Sequence, residues 1–125
     1  MDIEQFTELA DRLMERVPEP VLEGLNGGVT IRRNALRDKH DPRDLFILGE
    51  YVTDPLLGCY VVIYFGSFQA VLAGEPEAMW EEELWETIRH ELRHHLEVRA
   101  GEDDLDREDA EQLYELRKRS ARKQG

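Results

Sequence analysis

The stretch from Glu77 to Ala100 reads as one long helix, and a helix with a single apolar stripe constrains whatever packs against it. Gly74 and Pro76, in LAGEPEA, punctuate the chain before it, and Gly101 stands at a natural C-cap position. With His90 set at 0° and each residue advanced by about 100°, Leu84, Ile88, Leu92, Trp85 and Leu96 fall between about 120° and about 240°. That arc is the face turned to the core. His94 falls near about 40° and Glu91 near about 100°, so the two histidines lie almost opposite the core stripe.

The rest of the chain supplies the layers that cover such a helix. Residues 2 to 16 form an amphipathic helix through Ile3, Phe6, Leu9, Ala10 and Leu13, and Pro18 and Pro20 stop it. GGVTIRRN, 27 to 34, is the first expected strand, ALRDKHDPRD a loop, and LFILGEYV, 45 to 52, the second strand. TDPLLG is a turn, and CYVVIYFGSF, 59 to 68, carries the strongest strand signal because β-branched and aromatic residues fill it. GEDDLDREDAEQLYELRKRSARK opens with acids and continues as a final helix with Leu105, Ala110, Leu113 and Leu116 inward. The tight turn makes the second and third strands antiparallel neighbours. A single α+β domain over residues 1 to 125 is expected, with a small sheet backed by helices.

Composition narrows the function classes. The chain is 41% hydrophobic and 35% charged, which suits a globular domain with a modest core. No apolar run approaches the roughly 20 residues that cross a bilayer, and MDIEQFTELADRL places acids where a signal peptide carries Lys or Arg. A cytoplasmic protein with no membrane partner follows. One cysteine, Cys59, excludes a disulfide framework and a Cys-based zinc knot, and its apolar neighbours make it an inert core thiol. A formal charge of −12 opposes binding to a phosphate backbone. The five cations between Arg117 and Lys123 complement the dipole at the basic end of the last helix, 117 to 125.

Three of the four histidines stand within residues 90 to 95, and His90, Glu91 and His94 spell H-E-x-x-H. Two histidines four apart stack on one helix face within reach of one zinc ion, with the glutamate beside the water that the ion activates. That glutamate then accepts the water's proton as general base. Glu83, Glu86, Arg93 and Glu97 share this side, but an ordinary charged face has no need of histidine. His95, near about 140°, points with the apolar arc and reads as a supporting residue, and His40 as a surface loop residue. A catalytic zinc takes three protein ligands and leaves a position for water. Glu97 is on the histidine face, and acids of EDDLD, Asp103 or Asp104, reach the ion if the chain folds back after Gly101. The same acids read equally as N-capping residues of the final helix.

RHELRHHLE, LFILGEYV and YVVIYFGSF together resemble a family of small single-domain bacterial zincin-like metallopeptidases, minimal zincins with an aspartate as third ligand. The resemblance runs from the first helix to about Asp106, and only its H-E-x-x-H-H piece is specific. It implies a zincin-like fold, a mixed or antiparallel sheet packed against helices that include the active one. It also implies one zinc ion on His90 and His94, with Glu91 as catalytic base. The substrate implied is a peptide or protein held antiparallel to an edge strand, for which YVVIYFGSF is the candidate, with room for a protein partner that supplies specificity. Tyr60 or Tyr64 is either a group that polarises a carbonyl there or a core tyrosine. The family pattern continues H-E-x-x-H-x-x-G-x-x-D, whereas Glu97 stands at the Gly position and Ala100 at the Asp position. A G-x-x-D recurs four residues later as Gly101 and Asp104, which ranks Asp104 first as third ligand, then Asp103, then Glu97. Two functions are therefore expected: a zinc metallopeptidase, or a catalytically inactive metal-binding or protein-interaction module that keeps the helix.

Overall fold

The computed structural model describes residues 1 to 43 and 45 to 101. In chain order these form α1 (Ile3–Met14), α2 (Glu19–Leu22), β1 (Val29–Arg32), β2 (Leu36–Arg37), β3 (Phe46–Ile47), β4 (Gly49–Asp54), β5 (Gly58–Tyr64), α3 (Phe65–Leu72) and α4 (Glu77–Gly101). The expected final helix, its basic end and the candidate ligands Asp103 and Asp104 lie outside the described residues.

The main sheet is mixed, in the order β1-β5-β4. β4 and β5 pair antiparallel from Gly49 opposite Ile63 to Asp54 opposite Gly58. The TDPLLG turn joins them as expected. The Asp54 carboxylate accepts the backbone N–H of Leu56 at 2.7 Å and of Leu57 at 2.9 Å, and these bonds hold its acid below the ordinary range. β1 runs parallel to the other side of β5, with Val29 opposite Val61. The α+β class with a small sheet and helices is present.

Several expectations need correction. LFILGEYV is two strands rather than one. β3 pairs with β2, within the segment expected to be a loop, and the chain changes partner at Leu48 to begin β4. The strand expected through residue 68 ends at Tyr64, and Phe65 opens α3. The cause is tertiary: a Cβ on Gly66 would stand 2.4 Å from the Ala35 backbone nitrogen, and the buried Ser67 Oγ accepts the Leu36 N–H at 2.9 Å. Only a turn into helix brings both residues onto the segment around β2. β5 is the centre of its sheet, so YVVIYFGSF offers no edge; β4 does. Gly101 is itself helical, within α4.

The core follows the predicted helix phase. Leu84, Ile88 and Leu92 are buried, with Trp85 and Leu96 partly buried against the same cluster. Asp2 and Gln5 close a capping box at the start of α1, at 2.8 and 3.0 Å. From that helix Phe6 reaches Phe65 at 5.1 Å, Phe68 at 5.0 Å and Trp80 edge-on at 6.0 Å between ring centroids. Cys59 is half-buried against this core. Glu86 does not belong to the solvated face where its phase places it: it is buried and paired with Arg89, whose guanidinium lies over the Trp85 ring. α4 lies directly on β4, since a Cβ at Gly49 would come within 2.9 Å of Thr87 Cγ2. Among the described residues no helix is long and apolar enough to cross a membrane.

Candidate metal centre

Helix α4 sets His90 and His94 one turn apart, with ring centroids at 5.1 Å and planes nearly perpendicular. One ligand atom from each of His90, Glu91 and His94 lies within 4.8 Å of the others. Partial desolvation, then the neighbouring His94 and Arg93, pulls the His90 imidazole below the ordinary histidine range. That shift favours the neutral form, the one a metal ligand must have. Two imidazoles at this spacing beside a carboxylate make a donor set that fits zinc.

Glu91 is 6% exposed. Burial, and then the charge of Glu50, pushes its carboxyl up to about 7, against the hydrogen bond it accepts from the Tyr51 backbone N–H. An acid so poised exchanges protons near neutrality. The Tyr51 N–H is available for a topological reason. Tyr64 donates to the Leu48 carbonyl at 2.9 Å, and antiparallel pairs alternate. Backbone groups of Glu50, Val52 and Asp54 thus turn to β5, and those of Gly49, Tyr51 and Thr53 turn outward, along the edge of the described sheet. Between that edge and α4 runs an open groove of about 690 Å³, lined on the helix side by His90, Glu91, His94, Glu97 and Val98.

The other candidates are placed as follows. Glu97 is on the histidine face, its carboxylate 3.7 Å from His94 Nδ1 and 3.4 Å from Arg93 Nε, but it stands outside the close group of three. His95 is 1% exposed and is no ligand: its Nδ1 is 2.7 Å from the Tyr51 hydroxyl and its Nε2 2.7 Å from the Glu23 carbonyl. His40 lies on the surface, its backbone N–H bonded to Asp38 at 3.0 Å. Tyr64 is buried and donates to Glu50 at 3.2 Å, and neither it nor Tyr60 lines the groove.

Glu50, Tyr51 and Arg99 were not singled out from the sequence. A signal for the first two existed in Gly49, because a glycine inside a strand marks a close approach by another element. Arg99, buried, donates to the Pro20 carbonyl at 2.7 Å and lies 3.5 Å from the Glu23 carboxylate.

This arrangement, a histidine pair and a buried glutamate on one helix against an edge strand, defines a candidate metal centre on an α+β scaffold. No family model matches the chain, and no curated protein does. It is similar to a solved structure, a conserved hypothetical protein from Thermus thermophilus, with 39% identity and a TM-score of 0.70 over 81% of this chain and 99% of that one. The chain belongs to the same family as that protein.

Proposed function

We propose that the protein is a zincin-like, zinc-dependent hydrolase of peptide bonds in the cytoplasm. The observation that carries this reading is the close group of His90, Glu91 and His94, with the Glu91 carboxyl buried and pushed up to about 7. His90 and His94 would hold the ion, with a carboxylate from Asp104, Asp103 or Glu97 as the further ligand. Zinc held there would supply Lewis-acid polarisation of the scissile carbonyl and a more acidic water. Glu91 takes the proton of the attacking water on its carboxylate and passes it to the leaving amine. The Tyr51 N–H keeps that carboxylate against the edge strand. The outward backbone groups of Gly49 and Thr53 pair with an extended peptide, adding it to the sheet as a strand. The groove is open, so a partner protein that narrows it would supply specificity.

One observation favours a module without turnover: α4 stays helical through Glu97 and Ala100, where the resembled pattern has its Gly and Asp. Protein purified without chelator separates these readings in two measurements. Zinc content is expected near one ion per chain and lost in His90→Ala; metal-free wild type overturns the proposal. Glu91→Gln is expected to keep its zinc and lose hydrolysis of an unstructured peptide by about 10²- to 10⁴-fold. Unchanged hydrolysis removes the general-base role, and no hydrolysis by zinc-loaded wild type leaves the module.

A further inference from the structure

We propose that His95 is a positioning residue which, through Tyr51, holds the edge strand β4 in register with the Glu91 carboxylate. For its catalytic consequence this rests on the hydrolase reading; for its structural content it does not.

Two bonds hold the His95 ring. The Glu23 carbonyl can only accept, so Nε2 carries a hydrogen and donates it at 2.7 Å. Nδ1 is hydrogen-bonded to the Tyr51 hydroxyl at 2.7 Å. The imidazole is 1% exposed, and the Tyr51 ring leans on it at 5.5 Å. A line of contact therefore runs from α2, through His95 on α4, to β4. The same tyrosine donates its backbone N–H to Glu91. Its side chain and its N–H are two branches of one Cα, so anchoring the first places the second.

Pairing with β5 holds β4 within its sheet, and its spacing from α4 is set where the two elements touch. They meet closely at Gly49, which faces Thr87, and again where Tyr51 bonds His95. Thr87 and His95 are eight residues apart, about 12 Å along the helix, and two points that far apart fix a line. Glu91 lies midway between them. The doubled histidine thus divides its work: His94 belongs to the close group with His90 and Glu91 that would hold an ion, and His95 sets the distance between the strand and the base.

The experiment compares Tyr51→Phe, which removes only the hydroxyl, with His95→Phe, which keeps an aromatic ring without its bonds. The main readout is the backbone amide at position 51 in metal-free protein, by ¹H–¹⁵N shift and hydrogen exchange. Both variants are expected to move that shift and reduce protection at position 51 by about tenfold or more, with Glu50 and Val52 unchanged. In zinc-loaded protein, metal content is expected unchanged, kcat lower by about tenfold or more, and KM within about twofold. A position-51 amide with wild-type shift and protection in Tyr51→Phe overturns the proposal. So does a loss spread evenly over β4 and β5, which a merely structural role produces. Should the wild type hydrolyse nothing, the amide readout still decides, and only the hydrolase reading has failed.

Discussion

At the scale of single residues, the proposed chemistry turns on Glu91, and its environment makes a prediction without any substrate. In metal-free protein its carboxyl is pushed from an ordinary value of 4.5 up to about 7. The folded state then binds the proton more tightly than the unfolded chain does. The folded protein is favoured by this group below pH 4.5, loses that advantage as pH rises to about 7, and loses no more above it. The drop is on the order of 3 kcal/mol. Glu91→Gln removes it, and at pH 8 the chelated variant is expected to be more stable than the chelated wild type. Urea midpoints between pH 5 and 8 measure this; every other ionisable group is common to both proteins, so parallel curves refute it. His90, Glu91 and His94 were legible because helical phase places residues that are close in sequence. Glu50 and Tyr51 were not, because they meet Glu91 across about 40 positions of chain, and no spacing rule covers that distance.

At the scale of elements, the site exists because α4 and β4 touch, and Gly49 permits the contact. Its Cβ, were there one, would meet Thr87 Cγ2 at 2.9 Å and Ile63 Cδ1 at 3.1 Å. Gly49→Ala is expected to cost about 1–3 kcal/mol by overpacking. Thr87→Ser in that background removes the Cγ2 and keeps the hydroxyl that donates to the Glu83 carbonyl, so part of the loss returns. Chemical denaturation of the two singles and the double reads the coupling, and strict additivity would show that the contact is not the cause. Element type was clear where one period ran uninterrupted, as in α1 and α4. It was obscured where an apolar run crosses two elements. LFILGEYV is apolar before and after Leu48, although the chain there exchanges β2 for β5 as its partner. CYVVIYFGSF likewise hides the start of α3, whose Tyr64 N-cap makes no side-chain capping bond and whose Gly66 disfavours helix locally. The length of α4 has a related cause. His95 and Arg99, one turn apart, bind the Glu23 and Pro20 carbonyls, and this double anchor keeps α4 helical past Glu97.

At the scale of the molecule, one core joins α1, α3 and α4 through Phe6, and its loss should be felt everywhere. Phe6→Ala is expected to cost about 3–5 kcal/mol in a denaturant titration, and a value near zero would mean that the aromatic cluster is not the centre of the fold. The proposed zinc ion would act at the same scale. An ion that binds the folded chain alone stabilises it by about 2.7 kcal/mol at a hundredfold excess over its Kd. For a domain of this size that raises the melting temperature by on the order of 10 °C. His90→Ala should abolish the rise and Glu91→Gln should keep it. The same measurement assigns the third ligand, since a carboxylate that completes the site contributes to affinity whether or not turnover occurs. Among Asp104→Ala, Asp103→Ala and Glu97→Ala, the variant that loses the zinc-dependent shift identifies it, and the expected one is Asp104→Ala. Glu97 is the weakest of the three because its carboxylate already pairs with Arg93 and stands outside the close group. A shift lost only in Glu97→Ala would place all the protein ligands on one helix, and a wild-type melting temperature unmoved by zinc would remove the metal centre itself.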